Sequence, residues 1–475
     1  MTATVVAERP TPGSPRPYHF PQFQRQRLDN GLNVITVNLP GRELIAASLI
    51  QPIGAADERA EEGGLTVLMA RALAEGTERH DAIGLVEAAE RLGASIHAEA
   101  GWDAWTVSLE VPVARFGAAL DLAAEVAAAP TFPAQEVERL RDERLNDILQ
   151  ARADPRRRAE EGFVETIYAP GSPYRRPSGG LPETVERLDA TAAQRMHARR
   201  FDPARMTLIV GGDLQDLDVM DLVSRQVGGW RAAPEAEGPA PFDAEPARPD
   251  RLVRILHRPG SVQTEIRIGH VGQPRRIPDF HALSVMSAIL GGLFDSRLNR
   301  KLREEKGYTY GASAGFDLRR GAGPFAARAA VNTDVTVPAI LDILTELDRI
   351  RDEPVGEDEL RAARDFLVGV FPLRFETPGA VVGALSSLVA HDLPDDELAH
   401  YRPAIEAVTV ADLTTAARAH VQPAALAIVL VGDADAFLPA LEAAAIGPIV
   451  VDREAVPAVP TVPEDAAGVA PDGPA

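Results

Sequence analysis

The chain contains no cysteine. That excludes a disulfide framework, a thiol nucleophile and every thiolate metal site, so any zinc would have to be held by His, Asp or Glu. Lysine is almost as scarce, with Lys301 and Lys306 the only two. Positive charge is short overall: 49 Lys and Arg stand against 70 Asp and Glu, for a formal net charge of −21. Nucleic acid is therefore not an expected partner, because phosphate binding needs a clustered positive field. Long apolar runs are missing too. Stretches such as Leu426 to Val431 fall far short of the roughly 20 residues that a membrane-spanning helix requires. The Pro-rich N-terminus lacks the basic start and apolar centre of a signal peptide. The expectation is a cytoplasmic protein with no membrane partner.

What is present suits a soluble globular protein of two domains: 475 residues, 45% hydrophobic and 25% charged. Residues 1–19 and 448–475 read as disordered tails and 232–250 as a Pro- and Ala-rich linker. The portions on either side of the linker, 20–231 and 251–447, repeat each other. Phe201 to Asp213 aligns without gaps on Val421 to Asp433, with Pro203 matching Pro423 and Gly212 matching Gly432. A helical stretch precedes each copy. Within the first portion, Leu32 to Val37 and Leu44 to Gln51 read as strands, Gly64 to Ala74 and Ala82 to Leu92 as helices, and Ile96 to Val111 as a hairpin. The fold class expected is α+β, two duplicated domains of about 220 residues, each a mostly antiparallel sheet with helices packed on it.

Local motifs offer little chemistry. The ten histidines include no two at i+2, i+3 or i+4, so neither a helix nor a strand presents a pair of imidazoles and no metal is expected in this chain. Gly311-Ala-Ser313-Ala-Gly315 matches the G-x-S-x-G pattern, but the residues after it are strand-like, whereas a nucleophile elbow must turn into a helix. Gly291-Gly292 lacks the Lys-Ser/Thr of a phosphate loop.

Two longer stretches are more specific. One runs Asn30-Gly-Leu-Asn-Val, then Gly54-Ala-Ala-Asp-Glu-Arg, then Gly64 through Gly76-Thr77. The other runs Leu290-Gly-Gly-Leu-Phe-Asp-Ser-Arg-Leu, then Leu302-Arg-Glu-Glu-Lys-Gly-Tyr-Thr-Tyr310. Together they resemble the inverted-zincin peptidases, the group of pitrilysin, insulin-degrading enzyme and mitochondrial processing peptidase. The smaller bacterial members, dimers of two-domain chains that close as a clamshell chamber, are nearest in size.

The resemblance implies a zinc helix bearing H-x-x-E-H, in which two imidazoles share a face and the Glu is general base. The matching positions here are Val67, Ala70 and Arg71, and the third ligand position falls at or beside Asp147. Neither imidazole is present, so this half is not expected to hold a hydrolytic zinc. A bidentate Arg71–Asp147 pair filling the vacated site is the expectation to test, against a plain solvated Arg.

The family's Arg and Tyr, seven residues apart, correspond to Arg303 and Tyr310. The resemblance gives them the role of hydrogen-bonding the substrate carbonyl at the zinc site of the other chain, an oxyanion-hole type of stabilisation. The plainer reading is a helix-surface Arg and a Tyr opening a core strand, with Tyr308 the lesser candidate. Lys301 and Lys306 flank Arg303 and could add local positive field. His97-Ala98 align with the family's substrate-pairing edge strand, where extended peptide adds by β-augmentation. A half-exposed strand histidine is the alternative there.

The function implied is a zinc-less subunit of a heterodimeric metallopeptidase. It would need no cofactor of its own, and its partners would be a homologous zinc-binding chain and a peptide or unfolded-protein substrate. The rivals are a structural or substrate-guiding subunit and a stand-alone peptide-binding module.

Overall fold

The computed structural model describes residues 16–240 and 244–453. Two six-stranded sheets organise the chain. The first takes β1 (Phe23–Arg27), β2 (Asn33–Asn38), β3 (Leu44–Gln51), β4 (Ser95–Ala100), β5 (Trp105–Pro112) and β6 (Thr207–Gly212), in the order β1-β2-β6-β3-β5-β4. The second takes β7 (Leu252–His257), β8 (Gln263–Val271), β9 (Ala312–Phe316), β10 (Pro324–Asn332), β11 (Ala427–Gly432) and β12 (Ile449–Asp452), in the order β12-β7-β11-β8-β10-β9. Each is mostly antiparallel. The parallel pairs are β2–β6 in the first sheet and β7–β11 and β7–β12 in the second.

The repeat read from the sequence is one of structure. Helix Ala190–Arg200, capped by Asp189, and β6 lie 220 residues before helix Val410–His420, capped by Thr409, and β11. The hairpin expected over Ile96 to Val111 is β4–β5, with His97 opposite Ser108 and Ala98 opposite Val107. Ser313 sits within β9 opposite Arg328, on a strand and not at an elbow.

On the first sheet the near face carries α1 (Leu65–Ala72), α2 (Ala82–Leu92), α3 (Phe116–Ala128) and α4 (Ala134–Ala153). Side chains alternate across a strand, and the central strands are apolar on both faces. Leu208 and Val210 of β6 join the α1–α4 core, whereas Ile209 points into a second core. That second core is built with Val381, Val382, Leu385 and Leu388 from helix Pro378–Ala390, which belongs by sequence to the other domain. The reverse exchange occurs on the second sheet. Val429 and Val431 of β11 meet Ala159, Phe163 and Ile167 of α5 (Pro155–Ile167) from the first domain. Glycine permits both close approaches: a Cβ on Gly162 of α5 would sit 2.6 Å from Leu256 Cδ1, and one on Gly211 would sit 2.9 Å from Val382 Cγ2.

The expected boundaries need correction at the ends. Residues 449–452, read as tail, form β12 and pair with β7, because Ile449 and Val451 pack against the second core. Tyr18, also read as tail, lies between Phe371 and Phe375 with ring centroids 6.1 and 6.4 Å away. The rest of the two expected tails, 1–15 and 454–475, lies outside the described residues. The linker is fastened where it passes α5: Ala169 N–H donates to Glu245 O and Ala247 N–H to Ile167 O.

Candidate functional site

The helix with the expected ligand positions begins at an unusual cap. Gly64 precedes α1 in a left-handed conformation, φ +94°, which favours glycine. The orphan N–H groups of Gly64 and Thr66 donate to the carboxylate of Glu58, at 3.0 and 2.6 Å. The Glu58 side chain is fully buried and answered by Arg176 at 2.6 Å. Burial pushes its carboxyl up, while Arg176 and the two N–H donors oppose that shift. Its neighbour Asp57 accepts from Gly54 N–H, Ala240 N–H and Arg320 of the second domain. The stretch Gly54 to Arg59, which carries part of the resemblance, thus fixes the start of α1 and ties the domains together.

Along α1, Val67 is half-buried, Ala70 is fully buried, and Arg71 is exposed near the helix end. An isopropyl group, a methyl group and a guanidinium offer no donor to a zinc ion, so these positions do not fit that metal. The expected Arg71–Asp147 pair does not form. Arg71 reaches Glu143 at 3.0 Å, one turn earlier on α4, with both side chains nearly half exposed. Asp147 is engaged instead by Arg144 on its own helix and by Arg157 of α5 at 2.8 Å. Glu143 is shared with Arg139, which also binds Glu136 and Glu75. Arg139 and Arg71 hold the Glu143 carboxyl below its usual range. A solvated ionic ladder between α1 and α4 therefore stands where a buried pair was expected.

One other group of donors could suggest a metal. His257, Asp433 and Asp435 bring ligand atoms within 4.8 Å of one another. The repeat explains them differently. In the second domain Ala434 N–H donates to His257 Nδ1 and Gly260 N–H to Asp433. In the first, Leu214 N–H donates to Asn38 and Gly41 N–H to Asp213 in the same arrangement. His257 is the counterpart of Asn38, a turn lock at the end of a strand, and Arg453 occupies Asp435 at 2.5 Å.

In the second domain, helical residues Arg297–Asn299 continue into a wider turn over Arg300–Glu305. Leu298 and Leu302 anchor this segment in the core, and Arg297 grips Glu359 through two hydrogen bonds, 2.8 and 2.7 Å. Arg303 remains half exposed, its guanidinium 4.2 Å from the ring centroid of Phe294. Among the described residues no carboxylate pairs with it. Gly307, φ +65°, reverses the chain, and Tyr308 packs against the core. Tyr310 is 96% exposed on the bend just before β9. Thr309 fastens that bend by bonding Gly311 on both sides, and Ala312 N–H donates to Asn299. Lys301 is answered by Glu305 at 3.0 Å, which removes much of the positive field expected beside Arg303.

His97 is exposed and Ala98 half-buried on β4, the end strand of the first sheet, whose ladder partner is β5 alone. β9, which comes directly after Tyr310, is the matching end strand of the second sheet. No hydrogen bond or ion pair among the described residues joins the Arg303–Tyr310 segment to α1. Sequence reasoning missed Glu58, Arg176, Glu143 and Phe294. The first and last lie inside the quoted motifs; nothing local marked the other two.

Residues 33–175 match the family model for insulinase, peptidase family M16, and residues 187–367 match the model for the peptidase M16 inactive domain. An uncharacterized zinc protease of Mycobacterium leprae is 26% identical over 357 residues, 74% of this chain and 79% of that protein. The non-peptidase homologue YmxG of Helicobacter pylori is 22% identical over 318 residues, 66% of this chain and 72% of that protein. Among solved structures, a peptidase M16 inactive domain from Pseudomonas fluorescens superposes with a TM-score of 0.79 at 25% identity, covering 86% of this chain and 98% of that one. A Helicobacter pylori protease gives 0.80 at 18% identity, covering 86% and 99%, and shares the fold.

Proposed function

This chain belongs to peptidase family M16, as an inactive member, and from that membership we propose that it is the zinc-less subunit of a two-chain peptidase. Its partner would be a homologous chain that carries H-x-x-E-H and the zinc ion, and the substrate a peptide or unfolded protein. Arg303 and Tyr310 would reach the partner's site, where phenol and guanidinium donors hydrogen-bond the scissile carbonyl as negative charge develops on its oxygen. The observation that carries this reading is Tyr310: an aromatic 96% exposed on a bend that three hydrogen bonds hold in place. A side chain with no hydrogen-bond partner among the described residues, presented on an ordered support, suits a group that acts in another chain. The open edge of β4, with His97 and Ala98, would pair with extended substrate.

The name of the Helicobacter pylori relative favours a second reading, a non-catalytic homologue that binds peptide or serves as a structural subunit. Coexpression with an H-x-x-E-H chain from the same genome separates the two. A 1:1 complex that cleaves unfolded protein, while neither chain does so alone, supports the first. An active partner that neither binds this chain nor gains activity from it leaves the second.

A further inference from the structure

A cleft of about 790 Å³ opens between the loop around residues 171–177, α5 and the carboxyl ends of β7 and β11. It lies at the junction of the two domains, and none of Arg303, Tyr310, His97 and Ala98 lines it. Five arginines and five carboxylates line it. Most of the carboxylates lining it are already engaged. Glu58 is held by Arg176 at 2.6 Å, and Glu165 and Asp452 by Arg254 at 2.9 and 2.7 Å. Glu161 faces Arg158 and Arg152, with burial raising its carboxyl, and Glu183 is exposed.

Guanidinium donors are left over. Arg175 makes one hydrogen bond among the described residues, from Nη1 to Tyr168 O at 2.6 Å. Arg258 also makes one, from Nη1 to Ala153 O. Arg152 has no hydrogen-bond or ion-pair partner among them. All three are half-buried, and all three line the cleft. Ser172, which also lines the cleft, is nine-tenths buried with a hydroxyl that has no hydrogen-bond partner among the described residues. A guanidinium carries five N–H donors in a fixed fork matched to carboxylate and phosphate oxygens. Elsewhere in this protein Arg199 takes both oxygens of Glu62 and Arg297 both of Glu359. Among the described residues Arg152, Arg175 and Arg258 grip no carboxylate in this way.

We propose that this cleft binds a small multivalent oxyanion, carboxylate or phosphate in type, gripped by Arg152, Arg175 and Arg258 across the domain junction. The volume suits a metabolite-sized ligand. His257 also lines the cleft, its Nδ1 accepting from Ala434 N–H.

Titration calorimetry on the full chain tests this, with citrate and pyrophosphate as separate probes and sodium chloride matched in ionic strength. One saturable site for at least one probe is expected, with affinity at least tenfold weaker in Arg152→Gln and in Arg175→Gln. Arg152→Gln removes no hydrogen bond or ion pair among the described residues, so its folding should be unaffected; the melting temperature in chloride checks both variants. Saturation by citrate alone assigns the site to carboxylates, by pyrophosphate alone to phosphates, and by both to either class. No heat beyond the chloride control, or unchanged affinity in Arg152→Gln, overturns the proposal.

Discussion

Arg71 of α1 and Glu143 of α4 are joined at 3.0 Å, where the sequence resemblance leads one to expect an Arg71–Asp147 pair. The bond is solvated, and an exposed pair of this kind contributes only about 0–1 kcal/mol. It therefore does not take over the structural role of a metal. The start of α1 is held instead by buried Glu58, with its two N–H donors and Arg176. The helix start is thus positioned by side chains of the chain itself.

Reinstating the ligands should fail for a packing reason. Ala70 is fully buried against the first core. A glutamate there would cost about 3 kcal/mol or more as an unpaired buried charge. The triple substitution Val67→His, Ala70→Glu, Arg71→His is expected to lower the melting temperature and to retain less than one zinc per chain. Elemental analysis after dialysis and a thermal melt check both parts.

Glu58→Ala should be the most damaging of the single changes considered. It leaves Arg176 buried without its partner and two helix-start N–H groups unsatisfied, for a loss of about 3–5 kcal/mol. Equilibrium urea unfolding reads this directly. Arg71→Ala, by comparison, should move the midpoint by less than the equivalent of about 1 kcal/mol.

Tyr310→Phe tests the proposed function. With the side chain almost fully exposed, the fold should be unaffected. In the reconstituted pair kcat is expected to fall by about 10²- to 10³-fold, the usual effect of removing one oxyanion donor. Tyr308→Phe, at a ring packed on the core, should leave kcat within a few fold. Equal rates for wild type and Tyr310→Phe would remove the catalytic role.

Stability should fall as the solution is acidified from pH 7.5 to 5.5. His270 is buried and His197 and His281 are half-buried, and desolvation holds each below its ordinary value. Below about pH 6.5 the unfolded chain takes up protons that the folded one resists, so acid favours unfolding; above that value the contribution is complete. His197 donates from Nε2 to Ala127 O at 2.8 Å. His197→Gln keeps a donor but cannot titrate, and its urea midpoint should vary less with pH than that of the wild type.

The local elements and the duplication were legible because their signals are short-range. A short apolar run gave β3 and partial alternation the β4–β5 hairpin, and the gapless match of Phe201–Asp213 to Val421–Asp433 gave the two domains. The exchange of α5 and helix Pro378–Ala390 was not legible. Amphipathic period says that a helix is covered, not by which sheet. The partner of Arg71 was missed for a related reason: counting positions locates Asp147, but Arg144 and Arg157 already hold it, and the long Arg71 side chain reaches Glu143. Arg303 and Tyr310 were found through their motif, whereas the ring of Phe294 under Arg303 becomes visible only once the chain has turned.

The helix exchange also bears on how such a chain could admit a substrate. Each sheet has its back covered by a helix from the opposite half, so bending at residues 232–250 would strip Ile209 or Val429 of its cover. The cost would be several buried side chains at about 1.5–3 kcal/mol each. The polypeptide is thus one stiff jaw, and not two lobes on a hinge. If two chains enclose a peptide as proposed, the mouth would open between them and not within this one.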